Sequence, residues 1–529
     1  MRPTFLSFQT AARAMAASQA NMDITGNNLA NVNTDGYSRQ RVDLNAIASS
    51  GYKQKYASSQ TFVDSGVQVA GIGQFRDPFL DARYRSETSD DNKYNTILSG
   101  LSDLENSIDE ATTKGLQNEL SNYITQLQKL KQQSTSQDFA LVARTAAQKV
   151  TEMLNVYGTQ IEEVRNQQIY DLDNVVVSKD FNSITENIAD LNSQIREEEI
   201  YGNTPNDLYD KRNSLLDELS GIANIKVTVS PEKISDNLTV GKLTVALYDP
   251  ETSTSIGLVD GDLYNTLTVN SDKIPLTISL NSSFSLKGTP ATVDTSNITN
   301  YFTGGSIKGY LDLINGNGSY ADTNAGESNF RGTLYYTSVF DSFASSFAQV
   351  FNDINDIDPA DTVLNADDAP LFSSGLSGGK ITAKNIQVST EWLENPSYIN
   401  TTKDPVKTPS AADNIDRMID AMNVDQKFYK TPGDTTSDVL FTGSFHQYVV
   451  GAIGELSLDV ELNDNFAATS GSVMLDLYSK RESISGVNMD EEGINLMAFQ
   501  KSYNAAARYF TVLDEAVDTI INSMGIVGR

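Results

Sequence analysis

One stretch constrains this chain more than any other: residues 485–525, SGVNMDEEGINLMAFQKSYNAAARYFTVLDEAVDTIINSMG. Leu496, Phe499, Tyr503, Ala506, Phe510, Leu513, Val517, Ile520 and Met524 recur at alternating spacings of three and four residues. Side chains so spaced share one stripe of an α-helix, which predicts a long helix lying along another helix as a coiled coil. Asn488 is a strong N-cap, and Glu491 stands three residues on, as in a capping box. Asp490, Glu491 and Glu492 place negative charge where the helix dipole favours it, and Gly525 ends the run. The helix is about 54 Å long at about 1.5 Å per residue.

Such a seam needs a partner, and the other end of the chain offers one. Residues 4–32 contain no proline and a single glycine, Gly26. Phe5, Phe8, Ala12, Met15 and Met22 recur at helical spacing, Leu29 resumes the pattern, and Thr4 follows Pro3 as a cap. The two ends are therefore expected to pair in a nested molecule. Two helices sharing one seam bury too little apolar surface to offset the entropy of ordering both, so full order is expected when other subunits cover them.

The 529 residues exceed one hydrophobic core, and three or four domains are expected. With 69 acidic and 39 basic side chains the net charge is -30, which disfavours binding to nucleic acid or an anionic membrane. The absence of cysteine excludes disulfides, zinc thiolates and a cysteine nucleophile. No apolar run is long enough to span a membrane. The N-terminus is too polar and too regularly amphipathic for a cleaved secretory signal, so an exported chain would use another route.

A helical stretch is expected from Tyr94 to Leu130, with Ile97, Leu101, Leu104, Ile108, Leu116, Leu120, Leu127 and Leu130 as its apolar positions, then a second helix carrying Ala143 to Val164 and a third carrying Ile184 to Ile195, antiparallel in a bundle. The segment PNDLYDKRNSLLDELS starts a helix with Leu208, Leu215, Leu216 and Leu219 toward a core, and its Asp210 and Arg212 read as a structural ion pair. From Ile225 the period becomes two, giving a β domain at 224–301 expected to project outward. A second seam runs through Tyr336, Phe340, Phe343, Phe347, Val350, Ile354 and Ile357, and the Gly/Asn-rich stretch 315–331 before it reads as a flexible loop. Residues 358–440 mix turns, a strand in KITAKNIQVS and a short helix, and another helix follows from His446 to Ile484. The expected architecture is multidomain: paired terminal helices (1–45 with 486–529), a helical bundle (46–223, 302–357 and 441–485), and inserted β-rich outer domains at 224–301 and 358–440.

Catalytic signals are weak. Gly375-Leu376-Ser377-Gly378-Gly379 fits G-x-S-x-G, but it lacks the strand-turn-helix setting, and His446 is the single histidine available as a base. That single histidine also excludes H-E-x-x-H. Asp353, Asn355, Asp356 and Asp358 offer oxygen ligands without the EF-hand glycine. Neither a cofactor nor a metal is expected.

The run Asn27-Asn28-Leu29-Ala30-Asn31, then Asn33-Thr34, then Gly36-Tyr37 resembles the N-terminal signature of the bacterial flagellar axial family of rod, hook and hook-associated proteins. Asp35 stands where that family often has proline. Ser38-Arg39-Gln40, PNDLYDKRNSLLDELS, and Gly486-Val487-Asn488 followed by the acidic triplet are similar to the hook-associated branch in particular. The resemblance implies a non-enzymatic, extracellular adaptor at the hook–filament junction, exported through the flagellar type III route. Its implied partners are hook protein, hook-associated protein 3, further copies of itself in a ring or helical layer, and a cytoplasmic export chaperone on the C-terminal seam. A hook or distal rod protein is the alternative within the family; a secreted adhesin or enzyme carried on a flagellar scaffold is the alternative outside it.

Overall fold

The computed structural model describes residues 4–47, 66–112, 115–236, 238–249, 254–281, 297–322, 327–356, 370–375, 379–403 and 411–523. Residues 51–64, Ile357, Asp358, residues 376–378, Met524 and Gly525 lie outside the described residues, as does the side chain of Phe5. Helix α1 (Thr4–Ala30) leads into an antiparallel hairpin of β1 (Gln40–Ala46) and β2 (Val67–Gln74). Helices α2 (Pro78–Thr112), α3 (Leu116–Gln132), α4 (Gln137–Tyr170), α5 (Asn182–Ile200) and α6 (Asn206–Ile222) follow.

Strands β3 (Ile225–Ser235), β4 (Leu238–Asp249), β5 (Thr254–Asp260) and β6 (Leu263–Tyr264) form one antiparallel sheet in chain order. Strands β7 (Thr266–Asn270) and β8 (Thr277–Asn281) make a separate hairpin. Helices α7 (Gly305–Asn315) and α8 (Thr333–Asn355) come next. An irregular region then holds β9 (Phe372–Ser373), β10 (Gln387–Val388), α9 (Thr390–Glu394), α10 (Asp413–Asn423), β11 (Gln426–Tyr429) and β12 (Val439–Gly443). The chain ends in two long helices, α11 (Phe445–Ser485) and α12 (Met489–Ser523). Ser444 and Gln447 form a full capping box on α11.

Two hydrophobic clusters hold the body together. The first gathers α3, α4 and the aromatic seam of α8, where Phe343, Phe347 and Phe351 are fully buried, with Trp392, Ile415, Met418 and Phe428 from the irregular region. The second joins Leu216 and Leu219 of α6 and Ile307 and Leu311 of α7 to Leu243, Val245 and Leu247 of β4. Both clusters therefore cross the divisions at 224, 301 and 358: sheet and irregular region bury their apolar faces on the helices. The sheet supplies one apolar face, and that face needs cover.

The stretches carrying Val164 and Ile184 are not antiparallel neighbours. Residues Asp171–Phe181 wind as a π-helix, and the flanking Tyr170 and Asn182 keep right-handed helical backbone, so 137–200 is one continuous rod. The joining sequence DLDNVVVSKDF has neither glycine nor proline, and nothing in it stops a helix. The wider π winding rotates the apolar stripe, so that Leu154 and Ile161 lie in the first cluster while Leu172, Val177 and Phe181 lie in the second. The loop after α7 also differs from the flexible segment expected. Its described residues form bridges from Gly316 to Ser328 and from Asn317 to Arg331, and Arg331 makes a bidentate pair with Asp459 of α11.

Candidate functional site

The two chain ends meet as an antiparallel pair. Phe8 packs edge-on against Phe510 with ring centroids 5.0 Å apart. Ser18 Oγ donates to Ser502 Oγ at 3.2 Å, and Asn28 reaches Glu492 at the start of α12. On α12, Leu496, Phe499, Tyr503, Phe510, Leu513 and Val517 are half-buried and Ile520 is exposed. On α1, Phe8, Met15, Met22 and Leu29 are half-buried. Ala12, by contrast, is exposed, and the most deeply covered positions are Ala11, Ala17, Ser18, Thr25 and Asn28. The covered faces of α1 are thus built of small side chains, because this helix is flanked on a second side by the hairpin: Gly66, just before β2, comes against Thr10. A search for large apolar residues misses such a face.

Beneath the pair sits a polar joint. Asn28 is 1% exposed, and its amide uses both ends. Nδ2 donates to Gln40 O (2.9 Å) and Glu492 Oε2 (3.3 Å), while Oδ1 accepts from Gln40 N (3.0 Å) and Tyr37 Oη (2.9 Å). One side chain thereby ties α1 to β1, the turn and α12. Burial, with the charges of Asp210 and Glu492, pushes the Tyr37 hydroxyl up to about 12, so it stays a donor. The turn is shaped by Asn31, which bonds back to Asn27 O and Oδ1 and accepts from Thr34 N and Oγ1, and Tyr37 N then donates to Thr34 O. Gly36 has φ 75°, a backbone conformation that glycine adopts without strain.

Arg39 locks α12 to the joint. Its guanidinium contacts Glu491 (3.0 Å) and the buried Glu492 (2.8 Å), and its backbone N–H donates to Ser485 O (2.8 Å). The acidic first turn therefore has a cationic partner as well as the helix dipole. Asn488 caps α12 by accepting from Asp490 N and Glu491 N, and Val487 beside it is half-buried. Gly486 N donates to Glu482 O at the end of α11.

A charge network extends the joint into the body. Arg76 grips Asp81 with two bonds and lies 3.7 Å from Asp210, while Arg85 and Arg481 both hold Asp217, at 2.7 and 2.5 Å. Ser38 N donates to Asp210 Oδ2 and Ser38 Oγ accepts from Arg76. Burial raises the Asp210 carboxyl, and the Ser38, Arg76 and Gln74 contacts work against that rise. Asp210 and Arg212 are not paired with each other: the cation of Asp210 is Arg76, and Arg212 donates to Asn192 Oδ1 on α5. They sit two residues apart on α6, and so point to different neighbours. Arg76, Asp81, Arg85, Asp217 and Arg481 are the joint residues that sequence reasoning missed, since isolated charges on helices and links read as solvated.

The other chemical candidates stay apart from this joint. His446 is exposed on the first turn of α11, and Ser377 lies outside the described residues. Asn355 is fully buried and spends its side chain on Asn400 N. Among the described residues no group of three or more His, Asp or Glu side chains is placed to hold a metal, and no helix is long and apolar enough to cross a membrane.

Three family models match the chain. The one described as "Flagellar hook-associated protein FlgK helical domain" covers residues 101–359. "Flagella basal body rod protein" covers 8–37, and "Flagellar basal body rod FlgEFG protein C-terminal" covers 479–524. The two shorter matches fall on the two halves of the joint and its helix pair. The chain is 29% identical over 542 residues to the Flagellar hook-associated protein 1 of Bacillus subtilis (strain 168), covering 100% of both chains. It is 22% identical to the Flagellar hook-associated protein 1 of Salmonella typhimurium, across 96% of this chain and 97% of that one. Among solved structures it is similar to the flagellar hook junction protein FlgK from Burkholderia pseudomallei, at 20% identity and a TM-score of 0.41, over 56% of this chain and 47% of that chain.

Proposed function

Starting from a chain that belongs to the flagellar hook-associated protein 1 family, we propose that it is a structural adaptor assembling on the hook tip to form the hook–filament junction. The observation that supports this most is a second apolar stripe on α12. Ile494, Met497, Tyr509 and Val512 are 63%, 57%, 46% and 59% exposed. Ala498, Ala505 and Ala516 fall on the same exposed stripe. The pairing with α1 covers one face of α12 and leaves this one to water, at an energetic cost that only further copies or neighbouring axial proteins can remove.

On this reading the ends of successive subunits pack together as a tube wall, with the bundle and the strand-rich parts outside it. Hook protein lies below, hook-associated protein 3 above, and copies of the chain lie beside it in a ring or helical layer. An export chaperone covers the C-terminal seam until the chain leaves through the flagellar type III route to its extracellular place. The side chains carrying assembly are Phe5, Phe8, Met15, Met22, Leu29 and the α12 seam from Leu496 to Met524.

The test is electron microscopy of cells lacking the protein, with flagellin assayed in the medium. Hooks without filaments and flagellin lost to the medium are expected. Absent hooks would move the protein down to the rod or hook, and intact filaments would overturn the proposal.

A further inference from the structure

Away from the paired ends, a cavity of about 140 Å³ opens between the loop after α7, α8, β12 and α11. Its walls are aromatic: Tyr320, Tyr335, Phe441 and Tyr448 line it. The three tyrosines are 8%, 7% and 7% exposed, so their rings are fixed in place. Tyr320 and Tyr335 meet edge-to-face at 5.7 Å, as do Phe441 and Tyr448 at 5.3 Å. Behind, Phe428 stacks on Tyr448 at 3.9 Å, and the Tyr320 and Tyr448 hydroxyls bond each other at 2.8 Å. One carboxylate lines the cavity, Glu455, which accepts from Tyr335 Oη at 2.6 Å. No basic side chain is among the lining residues.

The α11 wall carries an unusual residue. Gly451 lines the cavity in the interior of a 41-residue helix, where glycine is destabilising relative to alanine. A Cβ there would meet nothing within 4 Å, and Gly451 is not among the glycines with positive φ. Neither backbone conformation nor packing within the described chain requires a glycine at this position. The space beside it is open.

We propose that this pocket binds an alkylammonium group, of the methylated-lysine or choline type. Electron-rich faces of several rings attract such a cation where a hydrated ion would not enter, and a carboxylate adds charge complementarity. The net charge of -30 raises the local concentration of cations. The same chemistry comes from two sources, a side chain of a neighbouring polypeptide or a free quaternary ammonium compound, and the probes below separate them.

The experiment titrates the full chain calorimetrically with acetyl-Nε-trimethyl-lysine methylamide, with choline, and with 3,3-dimethylbutanol, the neutral isostere of choline. The cations are expected to bind at roughly millimolar concentration and the neutral compound roughly tenfold more weakly. Tighter binding of the lysine probe assigns the pocket to a polypeptide side chain, and tighter binding of choline assigns it to the free compound. Gly451→Leu fills the open space and should abolish binding without lowering Tm. Glu455→Gln, which keeps the acceptor for Tyr335, should weaken it roughly fivefold. Absence of cation binding, equal binding of the neutral isostere, or unchanged binding by both variants overturns the proposal.

Discussion

Asn28 is the side chain on which the joint most depends. Replacing it with alanine strands Gln40 N and O and the Tyr37 hydroxyl in a partly buried place and leaves Glu492 with Arg39 as its remaining partner in the joint. The expected loss is about 3 kcal/mol, confined to the paired ends. Hydrogen exchange should then show α1 and α12 amides opening faster while those of α8 are unchanged. A second residue ties stability to pH. Burial raises the Asp341 carboxyl to about 6, although Ala383 N donates to it at 2.7 Å. The native state therefore holds this proton longer than the unfolded chain, whose aspartates titrate near ~4. The contribution of Asp341 is favourable below that value and is lost as pH rises through about 6. Asp341→Asn keeps the acceptor and removes the charge, so its Tm should exceed the parent's at neutral pH and match it at acidic pH.

Helix α12 tests the seam as an element. Phe510→Asp with Leu513→Asp puts two charges into the face shared with Phe8, each costing about 2 kcal/mol or more without a partner. The double variant should fail to enter the junction, read by fractionation of purified hook–filament complexes, while its circular dichroism melt keeps the transition of the body. Normal incorporation would remove the helix pair from the assembly argument. The rod 137–200 teaches the complementary point. Its continuity follows from the absence of a breaker in DLDNVVVSKDF, yet apolar periodicity alone suggested two helices, because the stripe changes face across the π segment.

For the whole molecule, neither hydrophobic cluster contains a described residue from 1–47 or 486–523. A chain trimmed to 76–485 should therefore stay folded and monomeric, with a single cooperative melt and no tendency to associate. Residues 224–301 expressed alone should not fold, because Leu243, Val245 and Leu247 would lose Leu216, Leu219 and Ile307. Dispersion of amide resonances in each fragment checks both expectations. A well-dispersed spectrum from 224–301 would mean that the sheet and its hairpin suffice as a core.

What the sequence by itself determined is local. The α12 seam, the aromatic seam of α8, the alternation in β4 and the Asn488 cap all depend on residues two to four positions apart, and such spacing is legible without a structure. What only the tertiary structure decided is partnership. Asn28 and Glu492 are separated by 464 positions, and Arg39 and Glu491 by 452. No periodicity selects one charge among 69 acidic groups as the mate of a given arginine. That choice follows from which helix faces the two cores bring together, and from the need to give every buried donor and acceptor a partner once they meet.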